Sequence, residues 1–274
     1  MSSTTEVTIR LSGLFGGLAL MAIWEVLAPR RVPKVRRARR WMSNLGLLVF
    51  NTVAVRLLIP LTAVELAVMA ERNGWGALHR WSLPPAWEIP LAVIALDLVI
   101  YLQHVLFHAV PAFWRLHRVH HADLEFDVTT GLRFHTIEIL LSLGLKLAAI
   151  LALGPSPWAV LIFEVLLNAT SMFNHSNVRI PLGCDRMLRW LVVTPDMHRV
   201  HHSIQRREAD SNFGFNLPWW DYLLGTYRPQ PAEDYETMPI GVAELRDERL
   251  CCRLPAMLWL PLRSSRASPD GNDR

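Results

Sequence analysis

The sequence predicts an all-α fold: a polytopic membrane helical bundle of about three spans plus a hairpin, with a cytoplasmic histidine-rich helical cap. Composition is the first observation, since 51% of the 274 residues are apolar, 19% are charged and the mean hydropathy is +0.22. The second is a series of long apolar stretches. The third is that ten of the eleven histidines fall between residues 104 and 202. The first two observations exclude an ordinary soluble domain.

The apolar stretches define the predicted membrane elements. They comprise residues 11–27, 45–70, 89–110, 137–153 and 158–172. Gly154-Pro155-Ser156-Pro157 separates the last two, and this run of glycine and proline predicts a tight reversal. Each half of that hairpin has about 16 residues, whereas a full span needs about 20, so the pair either just crosses the membrane or re-enters it.

A basic segment after the first stretch predicts the orientation. It contains Arg30, Arg31, Lys34, Arg36, Arg37, Arg39 and Arg40. Because such loops are favoured on the cytoplasmic side, the three histidine clusters and everything after residue 172 are expected in the cytoplasm, with the spans in the inner membrane. The pI of about 9.3 owes much to this segment, which suits acidic lipid, so no nucleic-acid partner is expected.

The histidines recur in three clusters. These are His104-x-x-x-His108, His117-x-x-His120-His121 and His198-x-x-His201-His202, with single His135 and His175 between them. Residues three and four apart share one face of a helix, so we expect each cluster to direct its imidazoles at one point. Neutral imidazole is a good ligand for iron, zinc, copper or nickel, and the pattern therefore predicts a metal site.

Two of the apolar stretches carry a polar face that ends in histidine. At offsets 0, 4, 7 and 11 the third stretch has Asp97, Tyr101, His104 and His108, and the fifth has Glu164, Asn168, Ser171 and His175. Residues at these offsets lie on one side of a helix. A carboxylate inside a span costs about 2.5–3.5 kcal/mol, so each should have a partner. We infer that the two polar faces converge on the site.

The number of histidines favours two metal ions. A catalytic zinc takes three protein ligands and keeps an open position, whereas eight to ten histidines suit two ions with four or five ligands each. Nearby carboxylates can offset the positive charge and orient the rings, and the candidates are Asp97, Asp123, Glu138, Glu164 and Asp196. Glu138 follows His135 by three residues, a spacing that suits an imidazole–carboxylate contact.

Other interpretations stay open at this point. The clusters could form a surface patch, and a lone histidine such as His135 or His175 is more often a satisfied polar residue than a ligand. His79 lies in the predicted outer loop, away from the clusters. A membrane zinc hydrolase and a non-catalytic metal-binding or haem protein are the alternative functions. Haem needs isolated histidines on facing helices, and a transporter should hold its ligands near mid-bilayer.

The order of these motifs resembles the fatty acid hydroxylase superfamily, the sterol desaturase-like membrane proteins. The similarity runs from about Asp97 to Tyr227 and includes Asn174-His175, Asp196-x-His198 and the closing Trp220-Asp221-Tyr-Leu-Leu-Gly225-Thr226-Tyr227. The short gap between His108 and His117 is most similar to the alkylglycerol monooxygenase branch. The resemblance is specific for the superfamily but weak for the substrate.

The resemblance implies an O2-dependent di-iron lipid hydroxylase or desaturase of the monooxygenase type. It implies that the eight histidines of the three clusters are iron ligands, and that His135 and His175 match further ligand positions. Beside the ligands, the candidate catalytic residues are Asp97, Tyr101, Glu138 and Asp196. The expected partners are a fatty acyl, sterol-like or ether lipid from the bilayer, with electrons from a separate electron-transfer protein or a reduced pterin.

Three regions follow from these assignments. Residues 1–90 should hold the N-terminal spans and the basic cytoplasmic loop. Residues 91–230 should form the fatty acid hydroxylase-like catalytic domain. Residues 231–274 should form a C-terminal tail, and its polar end, residues 264–274, is expected to be disordered.

Overall fold

The architecture was taken from a computed structural model, which describes residues 3–81 and 83–263. The longer helices are α1 (Ser3–Leu27), α2 (Arg37–Leu58), α3 (Ala63–Asn73), α4 (Pro85–Ala109), α5 (Pro111–His121), α6 (Thr136–Leu153) and α7 (Pro157–Asn174). Shorter helices follow: α8 (Leu182–Leu188), α9 (Pro195–His201), α10 (Arg206–Ala209), α11 (Trp219–Leu224), α12 (Glu248–Cys251) and α13 (Leu254–Trp259). The predicted all-α class is confirmed, while the expected disorder of residues 264–274 lies outside the described residues.

Four segments of the described chain are long and apolar enough to span a membrane. By length and apolar composition these are Thr4–Leu27, Arg37–Arg80, Pro85–Ala109 and Thr136–Leu153. The chain is therefore an integral membrane protein. Helix α7, predicted as the second half of a hairpin, is not in this set; it packs against α1, α3 and α4 and so lies inside the bundle.

The second apolar stretch forms two helices where the sequence analysis has one. Pro60 lacks an N–H and disfavours a helical conformation in the residue before it, and Ile59 accordingly leaves the helix with φ −132° and ψ 84°. Helix α3 then begins at a capping box, in which Thr62 and Glu65 each bond the other's backbone N–H. This break places a corner in the wall of the bundle.

The reversal between α6 and α7 forms as predicted. Gly154 ends α6 in the left-handed region with φ 65°, and Ser156 caps α7 by accepting from the Ala159 N–H. Pro157 occupies the first turn of α7, where its missing N–H leaves no bond unmade.

Part of the basic segment lies inside the fold. Arg40 is 1% exposed and makes a two-pronged contact with Asp123, at 2.6 and 2.7 Å, and a further contact of 2.6 Å with Asp127. Because removing one partner would leave a buried charge alone, this network ties α2 rigidly to the segment after α5. The Arg40 guanidinium also keeps the pKa of Asp123 below its ordinary value, although burial opposes this.

Candidate metal centre

A proline corner brings the first two histidine clusters together. Val110, the residue before Pro111, adopts an extended conformation with φ −97° and ψ 118°, so α4 stops and α5 begins at once in a new direction. Helix α5 packs back on α4. The rings of His104 and His117 consequently lie 4.9 Å apart, centroid to centroid.

The remaining histidines come from α7 and α9. His175 caps the C-terminal end of α7. Helix α9 begins at Pro195 behind Thr194, whose side chain accepts from the Met197 N–H, and it carries the third cluster. Since α9 packs against α7, the ring centroids of His175 and His198 are 4.4 Å apart. The predicted convergence of the two polar faces is thus present at their histidine ends.

Nine histidines gather in two groups. Within each group the candidate ligand nitrogens lie within 4.8 Å of one another. The five-histidine group is His104, His108, His117, His121 and His201, and the four-histidine group is His120, His175, His198 and His202. All nine are at most 4% exposed. The grouping matches the four or five ligands per ion that the count of histidines predicts.

Each histidine triple is divided between the two groups, and here the expectation of one point per cluster is wrong. In α5, His117 and His121 join the five-histidine group, whereas His120 joins the other. In the third cluster, His198 and His202 belong to the four-histidine group, whereas His201 belongs to the five-histidine group. Residues four apart remain in register, while the residue between them turns far enough around the helix to face a second point.

The spacing of the nitrogens in these groups suits ligands of a common metal ion. Nε2 of His104 lies 3.1 Å from Nε2 of His117, and the His120–His175 and His175–His198 pairs have the same separation. Two nitrogens bound to one ion at about 2.0–2.1 Å lie about 2.9–3.4 Å apart at the usual angles. In addition, Nε2 of His201 and Nε2 of His202 are buried without a partner among the described residues. The donor set therefore fits a pair of metal ions.

Acceptors on the outer side of the rings fix which nitrogen faces inward. Nδ1 of His104, His120, His175 and His201 lies 2.7–3.1 Å from a backbone carbonyl, those of Phe213, Arg133, Ser171 and Ser211 respectively. Each Nδ1 donates its proton outward, so each Nε2 lone pair is free toward the centre. This is the arrangement that orients ligating imidazoles in metal sites.

Burial favours the neutral form of five of these imidazoles. Burial, reinforced by the neighbouring rings, lowers the pKa of His120, His121, His198 and His202 well below the ordinary value. Burial likewise lowers the pKa of His201 to about 3. A neutral imidazole is the form that binds a metal ion, so no proton has to be displaced from Nε2 near neutral pH.

Among the predicted catalytic residues, Glu138 contacts the histidines directly. Its Oε1 accepts from Nδ1 of His117 at 2.6 Å, and the side chain is buried. The sequence predicts His135 as the partner of Glu138, but His135 caps the start of α6 instead. Glu138 thus orients a ring of the five-histidine group from its outer side.

Asp97 and Tyr101 hold a loop rather than a histidine. Asp97 accepts from the backbone N–H groups of Asn216 and Leu217 and from the Trp220 indole, at 2.9–3.3 Å. The Tyr101 hydroxyl lies 2.8 Å from Oγ1 of Thr226. Asn216 and Leu217 belong to the loop that also supplies the Ser211 and Phe213 carbonyls, so Asp97 acts on the centre through that loop. Tyr101 acts on it through Thr226, whose carbonyl accepts from the Asn212 N–H of the same loop.

The other carboxylates also have cationic partners away from the histidines. Asp196 lies 3.2 Å from Nε of Arg30 and 3.6 Å from Nε of Arg199, and burial raises its pKa. Glu164 pairs with Arg10 and Lys146. The Glu164 pairing satisfies the expectation that a carboxylate inside a predicted span has a partner.

His135 lies apart from both groups. Its Nδ1 accepts from the Ile137 N–H and so caps α6, and its Nε2 faces the carbonyl of Leu258 at 3.2 Å. The neighbouring Phe134, by contrast, stacks on the His120 ring at 4.4 Å and 8°. Of the ten histidines predicted as ligands, His135 is the one that the structure does not bring to the centre.

One carboxylate at the centre went unnoticed in the sequence. Asp210 lies 3.3 Å from Nδ1 of His108 and is paired with Arg206. It follows the third cluster by eight residues, with no helical spacing to indicate it. The backbone carbonyls that bind the other rings carry no residue-type signal at all.

A cavity of about 440 Å³ leads from the five-histidine group into the membrane bundle. His104, His117 and Glu138 are among the residues that line it. Apolar side chains cover much of the wall, including Ile100, Phe107, Leu132, Phe134, Ile139, Leu143 and Phe215. Its volume and largely apolar lining suit a largely apolar ligand.

The fold and site together define a class: an integral membrane protein with two buried histidine groups that could each hold a metal ion, one of which lines a largely apolar cavity. The family model described as fatty acid hydroxylase matches residues 89–226. The chain belongs to this family, as the order of its histidine clusters predicts.

Curated relatives extend the comparison. Ornithine lipid hydroxylase OlsE of Rhizobium tropici is 27% identical over 220 residues, which are 78% of this chain and 65% of that protein. Alkylglycerol monooxygenase of Xenopus tropicalis is 31% identical over 151 residues, 55% of this chain and 32% of that protein. Fatty acid hydroxylase vlmA of a Lecanicillium species is 30% identical over 190 residues, 61% and 48% respectively. The chain thus spans from a third to two thirds of these relatives. No solved structure matches it.

Proposed function

We propose that the protein is a membrane-bound, O2-dependent oxidoreductase that uses two iron ions to hydroxylate or desaturate a lipid C–H bond. The observation that carries the proposal is the pair of buried histidine groups at the end of an apolar cavity. The names of the three relatives share the oxidation of a lipid. Nine buried imidazoles exceed what one zinc site uses, and imidazole suits iron.

Each part of the chain has a defined task in this proposal. The five- and four-histidine groups would each hold one iron, and when bound the iron pair supplies O2 reduction and the oxidation of the C–H bond. The outer carbonyls and Glu138 orient the rings. The apolar wall admits the lipid and keeps bulk water away from His104 and His117, the two ligands that line the cavity.

The remaining candidate residues act by positioning. Asp97 holds the loop whose carbonyls fix His104 and His201, and Tyr101 supports that loop through Thr226. Asp196 ties the start of α9 to Arg30. In this proposal the histidine centre lies on the cytoplasmic side of the inner membrane, beside the basic segment. A separate electron-transfer protein or a reduced pterin supplies the electrons.

The test is anaerobic purification with iron, followed by metal analysis and O2 uptake. We expect two irons per chain and O2 consumption that depends on both a reductant and a lipid. The lipids to compare are an ornithine lipid, an alkylglycerol and a fatty acid. Zinc at full occupancy with no O2 uptake under any reductant would overturn the proposal in favour of a zinc hydrolase, and bound iron with no lipid oxidation would favour a non-catalytic metal protein.

A further inference from the structure

Part of the cavity lining is charged, and it lies away from the histidines along the helices. Arg10, Arg56, Lys146 and Glu164 line the cavity. Lys146 is about two helical turns from Glu138 on α6, and Glu164 is about three turns from His175 on α7, so we call this part the far end of the cavity. Arg10 Nη2 lies 2.5 Å from Oε2 of Glu164, whose other oxygen accepts from Lys146. Ionisable side chains inside a membrane bundle are costly, and those that face a cavity typically mark a substrate path.

A row of polar side chains on one face of α6 runs from the far end of the cavity to the metal centre. Glu138, Ser142 and Lys146 follow one another at four-residue intervals, and all three line the cavity. Gln103 donates to Oγ of Ser142, and its own carbonyl oxygen is buried without a partner in the described chain. Eight residues of helix separate Glu138 from Lys146 by about 12 Å. A hydrocarbon chain cannot form hydrogen bonds with these polar side chains, whereas the polar group of an amphipathic lipid can.

The charges at the far end favour an anion. Three cations face the cavity there, against one carboxylate that Arg10 and Lys146 share. Glu6 contacts Arg10 and Glu65 acts on Arg56, but neither of these two carboxylates lines the cavity. Lys146 can donate three hydrogen bonds, and within the described residues its Nζ donates to Glu164. Donors therefore remain for an anionic oxygen.

We propose that Arg10, Arg56 and Lys146 form a subsite for the anionic group of the lipid, a carboxylate or a phosphate. This inference rests on the proposed function and deepens it. It places the anionic group about two helical turns of α6 away from Glu138, and therefore away from the ligand His117 that Glu138 contacts. The subsite thereby selects both the class of lipid and the position along its chain.

The test measures binding without turnover. The probes are the fluorescent cis-parinaric acid and its methyl ester, titrated into the metal-loaded, detergent-solubilised protein at a pH where the acid is ionised. We expect the acid to bind about 10-fold more tightly than the ester, the scale of one charge-assisted hydrogen bond. Lys146→Met should remove most of that preference without weakening ester binding, and Lys146→Arg should restore it.

Controls separate a subsite from a structural role. Arg56→Met should act in the same direction as Lys146→Met, whereas Arg115→Met, which removes an exposed cation outside the cavity, should leave both affinities unchanged. Displacement of the probe by palmitate or by hexadecyl phosphate shows which anion is preferred, and either result supports the subsite. Equal weakening of acid and ester, no change in either, or tighter binding of the ester to the unaltered protein overturns it. A protein that shows the acid preference but oxidises no lipid would instead contradict the proposed function.

Discussion

The two histidine groups differ in their surroundings. The five-histidine group has carboxylate partners, since Glu138 accepts from His117 and Asp210 lies beside His108, and it reaches the cavity through His104 and His117. The four-histidine group has backbone carbonyls behind His120 and His175 and no member at the cavity wall. The five-histidine group thus faces the cavity and has two carboxylates behind its rings, whereas the four-histidine group is sealed from the cavity. Backbone carbonyls hold two rings in each group.

The sealed group should be the less tolerant of losing a ligand. His120→Ala leaves three histidines there, whereas His201→Ala leaves four in the other group. We expect His120→Ala to lose one of the two irons and more than about 100-fold in activity, exceeding the usual effect of a change behind a ligand. Metal analysis beside turnover, with membrane insertion verified, measures both.

His135→Ala is the matched control for this change. It removes a histidine that was also predicted as a ligand, but whose side chain caps α6 and does not face the metal centre. Both irons should remain, and the lost cap should cost at most about 1 kcal/mol of stability. Full metal content and turnover in His120→Ala, or loss of iron in His135→Ala, would contradict the grouping.

Sequence spacing predicts much of this centre, for a physical reason. A three- or four-residue interval fixes which histidines share a helix face, so clusters, ligand number and the polar faces of α4 and α7 follow from it. Spacing cannot say where a helix points. The division of each triple depends on how α5 and α9 cross, which is set by tertiary packing.

The same limit explains the other differences. His135 has a ligand's residue type, but the start of α6 turns it toward the Ile137 N–H and Leu258. Asp97 shares a helix face with His104, yet a loop more than a hundred residues later occupies its carboxylate. Proline at position 60 indicates a helix break, but the apolar residues on both sides of it form one continuous run that predicts a single span.

The role of charge behind the five-histidine group can be measured at Glu138. Glu138→Gln keeps the shape of the side chain but removes the charge that orients and strengthens His117 as a ligand. Losses of about 10–100-fold in iron affinity or activity are expected for such a change. Iron titration and turnover of the same preparation measure them. A variant with unaltered affinity and rate would show that the carboxylate is not needed behind this ligand.

Asp210 offers the weaker version of the same test, and it should give the smallest effect. Its side chain is 38% exposed, lies 3.3 Å from His108 and is shared with Arg206, so solvent and a cation both screen its charge. We expect Asp210→Asn to change iron affinity and activity by less than about 5-fold, well below the 10–100-fold typical of a buried partner. Iron titrations of Asp210→Asn and Glu138→Gln at low and high salt separate the two. An effect of Asp210→Asn equal to that of Glu138→Gln at high salt would mean that exposure does not weaken a carboxylate behind these ligands.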